Sequence, residues 1–216
     1  MVVEARSDFE LELHAQGFRV IVGIDEVGRG ALAGPVMVAA AARRFDSPEP
    51  PAGLRDSKLL SALQRERLAP LAASWTLAWA LGEAQPSEID ALGIVPCLRL
   101  AAERALAELW AQGVDPAETL VLLDGTHNWL NDLDPKPQAV RVRAKADRDC
   151  TIVAAASIIA KVERDRQMTL AHQSAPAYGW DGNKGYGSAA HQAAIVEHGS
   201  HPLHRQSWIH STPATQ

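Results

Sequence analysis

The sequence predicts an α/β fold built on a mixed β-sheet flanked by helices, with a helical segment towards the C-terminal end. Three observations support this. Two apolar runs, residues 19–25 and 33–42, are joined by a tight glycine turn and read as a hairpin-like pair of strands. Beyond them, strand-like and helix-like segments alternate, the pattern of a sheet covered by helices. A chain of 216 residues, 47% of them hydrophobic, is also long enough to bury one good core.

Each element has a local reason. After the first two runs comes a proline-rich loop, "RRFDSPEPPAGLRDSK", and then Ser61, a hydroxyl able to cap a helix running to about residue 73. "WTLAWALG" (75–82) alternates bulky and small side chains and reads as a third strand. Past Pro86 and Ser87, a long helical pattern runs through "CLRLAAERALAELWAQG", with Gly113 as its stop. "TLVLLD" (119–124) is a short buried-type strand, and residues 139–143 make another. The alanine-rich residues 151–171 form the strongest helix by propensity, with Asp149 placed to cap it. A last helix at 189–198 precedes a polar, histidine-containing tail. No repeat or composition shift divides the chain, so residues 1–216 are expected to form one catalytic domain, its helical and tail segment starting at about residue 172.

Charge and composition narrow the function. A net charge of −5 argues against a protein that coats nucleic acid by bulk electrostatics, so a polyanion must be met locally. Positive charge does gather at 141–148, at 160–166 and around Lys184. The start of the chain lacks the basic-then-apolar pattern of a secretory signal. The longest apolar stretch, 31–42, contains Gly34 and Pro35 and is far short of the ~20 residues that span a bilayer. A cytoplasmic protein with no membrane partner is expected. Cys97 and Cys150 sit apart among apolar residues and read as buried free thiols.

The chemistry concentrates at strand ends. In "VIVGIDEVGRGALAGPV" (20–36), Asp25 ends the first strand and Glu26 follows it. Asp124 ends "TLVLLD", and Asp147 follows the strand at 139–143. Strand ends meeting loops are where α/β folds place their active sites. Several carboxylates at one point suit a hard divalent cation, which takes oxygen ligands and shares them with substrate phosphates. Two such ions ~3.5–4 Å apart can activate water on one side of a phosphodiester and stabilise the leaving oxygen on the other. Two other readings are weaker. "GRGALAG" is one residue too long for a dinucleotide fingerprint, and the further loops of an actin-like phosphotransferase are absent downstream.

Taken together, the motifs resemble ribonuclease HII of the bacterial single-chain kind. The likeness covers nearly all of the chain: "GIDEVGRGALAGPV", "LRDSKLL", "LLDG", "KAD", "AAASIIAKVERD" and "NKGYGSAAH". It implies a ribonuclease H-like fold and an endonuclease that acts on the RNA strand of RNA–DNA hybrids and on single ribonucleotides embedded in duplex DNA. Cleavage 5′ of the ribonucleotide would leave 3′-hydroxyl and 5′-phosphate ends. By motif position, Asp25, Glu26, Asp124 and Asp147 would be the catalytic metal ligands, for Mg²⁺ or Mn²⁺, and Gly28, Arg29, Gly30 and Tyr186 would recognise the ribonucleotide junction. Trp208 stands where the family usually has phenylalanine.

Adjacent residues of a regular strand face opposite ways, so Asp25 and Glu26 can serve one cluster only where the strand ends or twists. Ser57 and Lys58 are candidate phosphate contacts, and Ser157, Lys161, Arg164 and Lys184 candidate substrate-backbone contacts. The histidines of "EHGSHPLHRQSWIH" read as a polar tail beside the substrate channel rather than a zinc site. A monomer is expected. Among readings of another class, the leading one is a hybrid-binding module without catalysis.

Overall fold

The computed structural model describes residues 4–44 and 46–209. Five strands form one mixed sheet: β1 (Val20–Val27), β2 (Val36–Arg44), β3 (Ala78–Ala84), β4 (Thr119–Asp124) and β5 (Ala139–Arg143). Their order is β3-β2-β1-β4-β5, with β1, β2 and β3 antiparallel and β4 and β5 parallel to β1. The hairpin-like start therefore forms as expected; helices connect β3 to β4, and a loop at 125–138 connects β4 to β5.

Strand alternation divides the core in two. Ile21, Met37, Ala39 and Leu122 face one side, and Val22, Ile24, Val38 and Leu123 the other. The first face is covered by α1 (Asp8–Ala15), α2 (Ala62–Trp75) and the long α6 (Thr151–Ser174). The second is covered by α4 (Ile94–Ala111), which follows the short α3 (Pro86–Leu92). The long helix expected here is two helices, because Gly93 sits between them at φ +84°, outside the helical region. Trp75 ends α2 instead of starting β3, which begins at Ala78. Ser61 does cap α2, in a capping box with Gln64.

The helix α6 rests directly on β1. A Cβ on Gly23 would lie 2.7 Å from the backbone of both Ile152 and Val153, so only glycine lets helix and strand approach this closely. The α6 N-terminus is not capped by Asp149, whose carboxylate pairs with Arg148. Glu10, buried on α1, accepts hydrogen bonds from Thr151 Oγ1 (2.7 Å) and Ile152 N (3.0 Å) instead. No short-range pattern marks a cap supplied from 141 residues away.

The C-terminal segment is helical as expected, with α7 (Trp180–Asn183), α8 (Ala189–His198) and a turn at 206–208. The polar tail is exposed at 197–200, Pro202, Gln206 and Ser207, but two of its residues, His204 and Arg205, turn into the protein. His191 and His204 are fully buried and pack around Tyr178 and Trp180. Their hydrogen bonds specify the neutral tautomers: His191 Nδ1–H donates to Tyr186 O (2.9 Å), so its Nε2 accepts from Trp180 Nε1 and from His204 Nε2. His204 Nδ1 in turn accepts from His201 N (2.8 Å). Trp208 docks well, its ring lying 4.8 Å from the Arg205 guanidinium. His210 lies outside the described residues.

Two outcomes follow from this packing. Gly23→Ala forces backbone against backbone and is expected to cost ~1–3 kcal/mol or more. Its melting temperature should fall by several degrees, and an unchanged value would refute the contact. Burial, then the neighbouring His191, lowers the His204 pKa from 6.5 to about 4. An unfolded chain therefore takes up this proton first, and stability, full above pH 6.5, drains away as the pH falls towards 4. A loss on the order of 2 kcal/mol, smaller in His204→Asn, should appear between melts at pH 7 and pH 5.

Candidate active site

The fork between β1 and β4 creates the site. Their pairing stops at Ile24↔Leu123, while β1 stays paired to β2 as far as Val27↔Met37. The first strand thus runs through Asp25 instead of ending there. Asp25 and Asp124 are each the first residue past the last β1–β4 pair, so two like charges begin where the strands part. Like charges directly opposite each other disfavour continued pairing. Glu26 points to the other face of β1, where it lines a cavity of about 670 Å³ together with Asp124, Arg29, Arg99, His127 and Trp129. This fork answers how adjacent residues can serve one centre.

Asp147 follows β5, as expected, and arrives on α5 (Ala146–Asp149), a short helix. Asp124 Oδ1 fastens that helix by accepting from Ala146 N (2.7 Å) and Asp147 N (3.4 Å). Ser157, one helical turn along α6 from the Gly23 contact, stands beside the buried Asp25 and favours its charged form. Lys58 reaches in with its Nζ 3.2 Å from Asp147 Oδ2, and Arg29 Nη1 lies 3.3 Å from Glu26 Oε1.

The electrostatics mark one crowded centre. Burial pushes Asp25 up to about 8; Ser157 resists the rise, and the charges of Glu26 and Asp147 add to it. Glu26 is raised by burial and by Asp124, against the pull of Arg29. Asp124 is raised by burial and by Asp147. Lys58 opposes the shift at all three. Excess negative charge of this kind is stored at a cost to the fold and is relieved by a cation.

Among the described residues, no three His, Cys, Asp or Glu side chains close on one point as an ion cage. The donor set nevertheless fits a hard divalent cation, since every candidate ligand is a carboxylate and an ammonium already stands among them. Asp25, Glu26, Asp124 and Asp147 are the residues that would hold it.

The other candidates separate into groups. Gly28, Arg29 and Gly30 directly follow β1, beside Glu26. A Cβ on Gly28, at φ +80°, would collide with the Arg164 side chain, whereas a Cβ on Gly30 would meet open space. Tyr186 is partly exposed, and its loop is stitched to the first by Leu32 N and Ala33 N, both donating to Gly185 O. Ser57 and Ser157 are buried, Ser157 Oγ donating to Ser57 Oγ at 2.9 Å, so their hydroxyls are engaged with each other and not turned out to a phosphate. Lys161 and Lys184 are engaged locally, with Asp165 and with Thr169 and Asp181 O, and Lys184 lines a different groove between α2 and α6. Arg164 is fully buried and bonds only carbonyls, so it is no substrate-backbone contact. Sequence reasoning missed Arg205, buried and bonded to the carbonyls of Gly28 and Arg29. A charged residue in a stretch read as a polar tail carries no signal of that role.

Comparison with known proteins agrees with this geometry. The ribonuclease HII family model matches residues 22–211. A ribonuclease HII from Streptomyces avermitilis is 47% identical over 194 residues, covering 90% of this chain and 78% of the relative. Another, from Syntrophotalea carbinolica, is 44% identical and covers 93% of this chain and 90% of the relative. Among solved structures, the ribonuclease HII in a PCNA complex from Archaeoglobus fulgidus superposes with a TM-score of 0.69 at 25% identity, covering 88% of this chain and 95% of that one. A Bst-RNase HIII in complex with Mn²⁺ shares the fold, with a TM-score of 0.70 at 22% identity over 92% of this chain and 70% of its own. No helix among the described residues is long and apolar enough to cross a membrane. Identity at that level over nine-tenths of the chain settles its kinship: it belongs to the ribonuclease HII family, whose members are metal-dependent ribonucleases.

Proposed function

We propose that this chain cuts the RNA strand of RNA–DNA hybrids and incises duplex DNA on the 5′ side of a single embedded ribonucleotide, leaving 3′-hydroxyl and 5′-phosphate ends. The observation that carries this reading is the state of the loop beside the acids. The amides of Arg29 and Gly30 have no partner among the described residues, and the space above Gly30 is open. Donors held free next to a carboxylate cluster suit a sugar hydroxyl and its phosphate. The 2′-hydroxyl both donates and accepts, and it alone tells RNA from DNA at one position.

Each residue then has a part. The Arg29 guanidinium leaves Glu26 for the phosphate, a charge-assisted contact. Tyr186 stacks on the sugar and hydrogen-bonds its hydroxyl. Mg²⁺ or Mn²⁺ at Asp25, Glu26, Asp124 and Asp147 supplies the activation of water and the charge neutralisation that the carboxylates alone deny a phosphodiester. Asp124 holds Asp147 in place, and Ser157 orients Asp25. Lys58 keeps the acids compact until the phosphate arrives. The 2′-hydroxyl is a recognition group, not the nucleophile. We further propose that the chain works as one monomeric catalytic unit over residues 1–216, in the cytoplasm.

Asp147 and Asp149 provide the test of the acid assignment. Asp147→Asn should lower turnover by ~10²-fold or more, whereas Asp149→Asn, which only releases Arg148, should change it little. Activity should vanish in chelator and return with added Mg²⁺ or Mn²⁺. Equal effects of the two substitutions, or full cleavage in EDTA, would overturn the assignment.

Gly30→Ala isolates substrate recognition from stability, because its Cβ meets nothing in the protein. The melting temperature should stay within about one degree of the parent, while cleavage of a labelled DNA duplex carrying one ribonucleotide should fall about tenfold or more. End mapping should show a cut 5′ of the ribonucleotide and no 2′,3′-cyclic phosphate. A cyclic product would sink the mechanism, and undiminished cleavage by Gly30→Ala would sink the recognition role.

A further inference from the structure

For the amides at 29 and 30 to face a substrate, the neighbouring carbonyls must turn into the protein, where each needs a donor. Those donors come from the far end of the chain. Arg205, fully buried, donates to Gly28 O through Nη2 (2.6 Å), to Arg29 O through Nη1 (2.9 Å) and to Gly34 O through Nε (3.2 Å) and Nη2 (3.1 Å). Arg164 completes the loop from the opposite side, donating to Ala33 O and Pro35 O (3.0 Å each) and to Lys184 O (2.9 Å). Neither guanidinium forms an ion pair among the described residues. Two buried cations are met by backbone carbonyls and by ring faces, Trp208 beside Arg205 at 4.8 Å and Tyr186 beside Arg164 at 5.6 Å.

That is an expensive way to hold a loop if stability were its purpose. Burying a charge without a counter-charge is costly on general grounds, and apolar residues of similar size often do as well. What a guanidinium supplies and an apolar side chain cannot is a rigid fork of donors that sets the orientation of several peptide planes at once. The backbone around Arg205 is itself held: Arg205 N donates to Leu32 O and Gly34 N to Leu203 O, both at 2.8 Å. Asp90 anchors the following turn by accepting from Gln206 N and Ser207 N (2.9 Å each) and from Ser207 Oγ (2.6 Å).

We infer that Arg205 is a positioning residue for ribonucleotide discrimination: it holds the carbonyls of Gly28, Arg29 and Gly34 inward so that the amides of Arg29 and Gly30 point at the sugar. This rests on the proposed reading of residues 28–30 as the recognition segment. Arg205 does not touch substrate. Its effect is on the preference for a ribonucleotide over a deoxyribonucleotide, not on the acids or on general attraction to phosphate.

The test compares two duplexes identical except for one ribonucleotide, bound with Ca²⁺ in place of Mg²⁺ and measured by fluorescence anisotropy, alongside cleavage in Mg²⁺. Arg205→Lys keeps the charge but loses the fork, and should lower the preference for the ribonucleotide duplex about tenfold or more. Affinity for the all-DNA duplex, carried by charge on phosphates, should stay within about twofold. Combined with Gly30→Ala, the two losses should not multiply, because the added Cβ and the released carbonyls both spoil the same contact between amides and sugar. An undiminished preference in Arg205→Lys, or losses that multiply, would overturn the proposal. Should Arg205→Lys fail to fold, Asp90→Ala loosens the same turn from the surface, and full preference in that variant would count against the proposal equally. If Gly30→Ala alone keeps the parent's preference, the fault lies instead with the assignment of residues 28–30.

Discussion

Everything in this molecule hangs on the contact between α6 and β1 at Gly23. With no Cβ there, the helix backbone lies on the strand backbone, and the two run on together. Two residues of strand rise about 6.6 Å, and four to five residues of helix about 6–7.5 Å, so Asp25 comes level with Ser157. Further along the same tracks, Arg164 passes Gly28 and Met168 meets Gly34. One helix thereby orients the buried acid, shapes the recognition loop and seats the C-terminal cluster. Residues 151–160 are buried along their whole length, and Ala154, Ala155, Ala156 and Ala160 keep the helix thin enough to pack closely.

The site works against the fold that carries it. Asp25, Glu26 and Asp124 are all pushed up by burial and by a neighbouring carboxylate, Asp147 among them, and the strands part where these acids begin. The protein tolerates this with exposed counter-charges, Lys58 on Asp147 and Arg29 on Glu26. Such exposed cations bind weakly. They keep the acids together yet yield to a stronger cation or a phosphate, which a rigid buried pair would not do.

The C-terminal segment is the counterpart of that looseness. Tyr178, Trp180, His191 and His204 form a buried cluster whose ring nitrogens are each assigned a donor or acceptor role by a neighbour. The relay ends on the carbonyl of Tyr186, and Arg205 ends on those of Gly28 and Arg29. Both segments that would meet the sugar are thus held from behind, by residues that come last in the chain.

Much of this was legible in the residues themselves. The bounds of β4, β5 and α8 agree with their apolar runs and turn signals, the Ser61 capping box is a local pattern, and the motifs around Asp25, Asp124, Asp147 and Tyr186 point to one chemistry. These features are recorded in near neighbours, through alternation, helical period and caps. Only the tertiary structure decided that Glu10 caps α6, that the strands fork at Ile24 and Leu123, that Ser57 and Ser157 are buried, and that His204 of the polar tail enters the core. It also decided that Arg205 serves a loop 177 residues earlier. Propensity has no reach over such separations; burial and the obligation of buried polar groups to find partners do, and they act only once the chain has closed on itself.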